Sequence, residues 1–113
     1  MTLIVFDTFN IAPIANAGPD ATIALPQNTY QLHGSGSDAD GSIISYQWQQ
    51  VGDTPSQAVF SDNHISNPIV SNLIYGHYTF RLTVKDDYGA TGSDDVVIFV
   101  RDSFNHKPIA NAG

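Results

Sequence analysis

The sequence contains no cysteine. That removes disulfides, thiol nucleophiles and cysteine zinc sites together, leaving packing, hydrogen bonds and bound ions to hold a fold. Basic residues are scarce: four Lys and Arg stand against eleven Asp and Glu, and the net charge is −7. Without a basic patch to displace counterions, nucleic acid is not an expected partner, and a divalent cation is the better match for a charged one. No apolar run approaches the roughly 18 residues of a membrane span, so no membrane insertion of this segment is expected. Helical periodicity is missing throughout. The four histidines, at 33, 64, 77 and 106, lack ligand-like spacing, which argues against a transition-metal site. Catalytic motifs are missing as well. Gly34-Ser35-Gly36-Ser37 is too short for a nucleophile elbow and precedes a loop, and no Lys-Ser/Thr pair follows it to make a phosphate loop. The chain reads as non-enzymatic.

What the sequence does contain is alternation. From Gly76 to Ala90, Tyr78, Phe80, Leu82 and Val84 alternate with His77, Thr79, Arg81, Thr83 and Lys85, the period-two signature of a strand with one buried and one wet face. Gly76 opens it and Asp86-Asp87-Tyr88-Gly89 closes it with turn chemistry, so it is expected to be a central strand. Around it, short strand candidates recur between turn residues, as in an all-β sandwich. Ile14 to Asn16 and Ala21 to Leu25 read as a first strand broken at Gly18-Pro19-Asp20, followed by Thr29 to His33. Gly34 to Gly41 reads as a loop, and Ile43 to Val51 as a long strand with Ile44, Tyr46 and Trp48 on one face. Ala58 to Phe60 and Ile69 to Ser71 are short, and Asp94 to Arg101 closes the series with Val96, Ile98 and Val100 on one face. Trp48 is expected to anchor the core. Tyr78, just after a glycine, either sets its hydroxyl against a neighbouring loop as a tyrosine corner or only packs in the core.

The two ends repeat each other. Residues 1–18 align without gaps on residues 96–113, with ten of eighteen positions identical, including every position from Pro13/Pro108 onward. Such a match marks a tandem array with a period of 95 residues. Residues 1–9 then read as the last strand of a preceding repeat plus linker, 10–103 as a complete module, and 104–113 as linker and start of the next repeat. The opening MTLIVFDTF has no basic n-region and no small-residue cleavage site, so it does not read as a secretory signal, and the sequence is expected to be an excerpt of a longer chain.

Three motifs carry a family resemblance: Asn-x-x-Pro-x-Ala-Asn-Ala-Gly at Asn10 to Gly18, LHGSGSDADGSIISYQW at Leu32 to Trp48, and GHYTFRLTVKDDYGAT at Gly76 to Thr91. The module resembles the PKD (polycystic kidney disease) domain. The resemblance implies an all-β, immunoglobulin-like antiparallel sandwich of about seven strands. It also implies a non-catalytic extracellular or cell-surface repeat of bacterial secreted or surface proteins, acting as spacer and protein-interaction or adhesion module. Neighbouring PKD repeats are then partners, beside a protein or polysaccharide ligand. One departure is Gln49-Gln50-Val51-Gly52-Asp53, where many members carry an Asp-Phe-Gly-Asp-Gly run.

The resemblance also suggests a calcium site at Asn10, Asp38, Asp40 and Asp86, with Asp87 beside it. Calcium takes six to eight oxygens, and loop carboxylates gathered at one pole of a sandwich supply many of them. The same aspartates could instead cap turns through side-chain to backbone hydrogen bonds. An EF-hand does not fit: with Gly41 as the sixth loop position, Gly36 and Gln47 fall where carboxylates should be. Phe9, Tyr75, Tyr88 and Phe99 are expected outside the core. If they formed a row they would support the alternative function, an accessory carbohydrate-binding module of a polysaccharide-degrading enzyme. Phe9 or Phe104 is expected to pack at the junction between modules.

Overall fold

The computed structural model describes residues 11–102. Every regular element among them is a strand: β1 (Ile14–Asn16), β2 (Ala21–Ala24), β3 (Tyr30–Gln31), β4 (Ser35–Ser37), β5 (Ile43–Val51), β6 (Val59–Phe60), β7 (Ile69–Ser71), β8 (Gly76–Asp86) and β9 (Thr91–Arg101). They form a four-stranded sheet in the order β2-β9-β8-β5, a three-stranded sheet β3-β7-β6, and a β1-β4 pair. This is the expected all-β sandwich. Asn10, Phe9 and Phe104 lie outside the described residues.

β8 is central because its alternation lets it bury one face while two neighbours use its hydrogen-bonding edges. Tyr78, Phe80, Leu82 and Val84 are buried, and β5 and β9 pair with it antiparallel on either side. Val96, Ile98 and Val100 of β9 complete this side of the core, against Leu32, Ala58, Val70 and Leu73 from the opposite layer. Trp48 is fully buried. Its indole N–H donates to the Ser66 carbonyl at 3.1 Å, the carbonyl that also accepts the Gly34 N–H at 3.0 Å. Gly34 has to be glycine here, since a Cβ would lie 2.7 Å from Trp48 Cζ2 and 2.9 Å from Leu82 Cδ2.

Tyr78 adopts the corner arrangement. Its hydroxyl accepts the Ile74 N–H at 2.9 Å, four residues upstream, and meets Ser56 Oγ at 2.5 Å. The phenol thereby ties the approach to β8 and the loop before β6 to one buried ring.

Several details depart from the sequence reading, each for a local reason. The break at Gly18-Pro19-Asp20 sends the two halves of the first strand to different partners. β1 pairs antiparallel with β4, whereas β2 runs parallel to β9, so one pairing in the sandwich is not antiparallel. Gly18 makes the switch with a φ of 86°, and Asn16 Oδ1 accepts its N–H at 2.9 Å. The stretch read as a loop from Gly34 to Gly41 contains β4, whose small Ser-Gly-Ser residues give no apolar alternation to read. Ile44 does not share a face with Tyr46 and Trp48. A register shift between Ile43 and Ser45 turns Ile44 outward, 60% exposed, and Ile43 packs on the core instead.

Candidate metal centre

Asp86 stands where the alternation of β8 would place one more core residue, two positions after Val84, and it is fully buried. A carboxylate there must be compensated. Part of the compensation is local: Asp86 Oδ1 accepts the N–H groups of Tyr88 at 2.9 Å and Ala90 at 2.8 Å, shaping the turn between β8 and β9. The capping role expected of these aspartates is therefore met at Asp86.

The loop between β4 and β5 brings the rest. One carboxylate oxygen each from Asp38, Asp40 and Asp86 lie within 4.8 Å of one another. Asp40 Oδ2 accepts the Ile11 N–H at 2.9 Å, so it holds the chain just before β1. Asp87, the neighbour of Asp86, joins the two loops: its Oδ1 accepts the Ser42 N–H at 3.2 Å and its own N–H donates to the Ser42 carbonyl at 3.1 Å. Gly41 permits the approach, because a Cβ there would lie 2.9 Å from Asp38 Oδ2 and closer still to Asp87 Oδ1.

Asp38 differs from the others. Both of its carboxylate oxygens are buried, and neither has a hydrogen-bond partner. Burial above all, then the neighbouring Asp40 carboxyl and the negative charges of Asp40 and Asp86, pushes its carboxyl up to about 6. A buried, unpaired carboxylate is costly unless a proton or a cation joins it. Three converging carboxylates form the oxygen-rich, hard donor set that suits calcium and not a thiolate- or imidazole-binding metal. Asp38, Asp40 and Asp86 thus come together as a set that fits the ion. Sequence reasoning did not find the Ile11 anchor, the Ser42–Asp87 clasp or the requirement for glycine at position 41, all of which depend on contacts between residues distant in sequence.

Among the described residues, Tyr88 does not join Tyr75 and Phe99 in a row. Tyr75 and Tyr88 flank opposite ends of β8, at 59% and 72% exposure. Phe99 is half-buried and stacks on His77 at 4.3 Å between ring centroids, with Tyr75 edge-on to Phe99 at 6.1 Å. No helix among the described residues is long and apolar enough to cross a membrane.

The family described as "K319L-like, PKD domain" matches residues 17–100, a span that holds Asp38, Asp40 and Asp86. The chain belongs to the PKD domain family. Among its relatives, the mouse dyslexia-associated protein KIAA0319 homolog is 36% identical over 113 residues, covering 99% of this chain and 10% of that protein. The human low-density lipoprotein receptor-related protein 11 is 34% identical over 88 residues, covering 78% of this chain and 17% of the relative. The PKD chain thus spans a tenth to a sixth of the curated relatives it matches. Among solved structures, the PKD domain from the KIAA 1837 protein superposes with a TM-score of 0.72 at 34% identity, covering 82% of this chain and 90% of that one. The PKD1 domain of the Vibrio cholerae metalloprotease PrtV gives 0.57 at 26% identity, covering 80% and 99%. PKD relatives thus come from mammals and from a bacterium alike.

Proposed function

We propose that this PKD domain is a non-catalytic, extracellular spacer and protein-interaction repeat whose acidic pole binds calcium and so stiffens the linker leading into it. Asp38, Asp40 and Asp86 would hold the ion, and Asn10 would join them by the family resemblance. The ion would supply charge and fixed geometry, and no reaction. The observation that carries this reading is the state of Asp38: two buried carboxylate oxygens without partners, facing two further carboxylates. Because Asp40 also holds the Ile11 amide, an ion bound to Asp40 would restrain the loop and the incoming chain together.

Support for the spacer role comes from the repeat at the two ends of the sequence and from Pro13 and Pro108, which restrict the residues before them. The alternative, carbohydrate binding, would rely on stacking of sugar rings on exposed aromatics. Tyr75 and Tyr88 stand at opposite ends of β8, and Phe99 and His77 occupy one face of each other's rings. The ion reading is tested by calorimetric titration of calcium chloride into the chain and into Asp38→Asn. Saturable binding by the parent and none by the variant is expected; equal heats for both would sink the site. Retention on insoluble chitin or cellulose that vanishes with Tyr75→Ala would favour the carbohydrate reading.

A further inference from the structure

β8 spans the molecule. Gly76 pairs with Val100 at one end and Lys85 with Thr91 at the other. Its 11 residues put roughly 35 Å between two poles. The acidic pole holds Asp38, Asp40, Asp86 and Asp87; the far pole is where β9 ends, at Arg101. Each pole carries an exposed tyrosine, Tyr75 just before β8 and Tyr88 just after it. The Tyr88 ring plays no part in closing its own turn, which is built by backbone N–H groups on Asp86.

The tyrosine at the acidic pole is linked to the point where the chain comes in. Ile11, 53% exposed, is tied to Asp40; Asp40 runs through Gly41 to Ser42; and Ser42 is clasped by Asp87, next to Tyr88. The sequence repeat then sets what lies beyond. With residues 1–18 matching 96–113, position 6 is the counterpart of Arg101, the last residue of β9. Five residue steps lead from there to Ile11, a reach of at most about 18 Å. A preceding copy therefore has to bring its far pole close to Asp40.

We propose that Tyr88 and Ile11 at the acidic pole of one copy pack against Ile74 and Tyr75 at the far pole of the copy before it. The partner is a second copy of this chain, and the inference rests on the tandem-spacer reading above. The contact joins two different patches, so it does not close on itself and can recur along an array of any length. It is small, and the linker sustains it: tethering at such a short span supplies a millimolar effective concentration, which a modest apolar contact can use.

The test extends the full chain by one period, with residues 1–105 followed directly by a second 11–113, since Asn105 is the counterpart of Asn10. Residual dipolar couplings are measured for both copies in calcium. One shared alignment tensor is expected. Tyr75→Ser in the first copy, or Tyr88→Ser in the second, should split it into two, with the weaker reduced about twofold or more by independent domain motion. The same substitutions at the outward poles, Tyr88→Ser in the first copy and Tyr75→Ser in the second, should leave the shared tensor intact, which separates loss of contact from loss of fold. Two tensors in the parent, or a shared tensor that survives the inward substitutions, would overturn the contact. If calcium still binds in that event, the ion site stands and only the docking inference fails.

Discussion

Asp40 Oδ2 accepts the backbone N–H of Ile11 at 2.9 Å. The same carboxyl group lies within reach of Asp38 and Asp86, so the residue that positions the incoming chain is also a member of the candidate ion site.

Calcium should raise the thermal stability of the parent chain. An ion at a hundred times its dissociation constant contributes about 2.7 kcal/mol, a shift on the order of 10 °C for a domain of this length. Thermal unfolding followed by circular dichroism in calcium and in EDTA measures it. Asp38→Asn should remove the shift with little loss of stability in EDTA, because Asp38 makes no hydrogen bond to lose. Asp86→Asn is a poorer test, since Asp86 also caps its turn.

The pH dependence follows from Asp38. Its carboxyl is raised from 3.8 to about 6 in the fold, so the folded chain binds this proton more tightly than the unfolded one. The resulting stability is fully present below about pH 3.8 and is lost as pH rises through about 6. In EDTA, the melting temperature of Asp38→Asn minus that of the parent should grow between about pH 4.5 and pH 7.5; a flat difference would remove the shift. Calcium requires the ionised group, so below about pH 6 its affinity should fall about tenfold per pH unit.

Truncating Trp48 should be among the most damaging changes. Trp48→Ala empties a fully buried site and takes the indole N–H away from the Ser66 carbonyl, which keeps only the Gly34 N–H, and urea unfolding should show a loss of about 3–5 kcal/mol. Gly34→Ala should destabilise by overpacking the same site, at a cost of about 1–3 kcal/mol.

Tyr78→Phe isolates the corner hydroxyl. It keeps the ring and leaves the Ile74 N–H and Ser56 Oγ without their shared partner, so a loss of about 1–3 kcal/mol with an unchanged urea m-value is expected. A loss close to zero would return Tyr78 to plain core packing.

Much of this was legible in the sequence because period-two alternation reports one thing well: which side of a long strand meets a core. β5 and β7 match their sequence bounds, and β8 shows the burial its pattern demands. β4 was illegible because Ser35, Gly36 and Ser37 carry no apolar signal, and Ile44 was misplaced because a bulge resets the alternation without any mark in composition. The acidic residues were visible as types, and Asp86 extends the Tyr78-Phe80-Leu82-Val84 series, a polar residue at a core position. Their partners were not visible: the Ile11 amide and Ser42 are 29 and 45 residues from the carboxylates they meet.

The parallel pairing of β2 with β9 has a mechanical consequence. Both strands run toward the far pole, with Ala21 opposite Ile98 and Ala24 opposite Arg101. In the proposed array, tension would drag β2 back toward the acidic pole and β9 forward out of the far one. The load falls on these bonds lengthwise, so they resist together in shear where a hairpin would peel open one bond at a time.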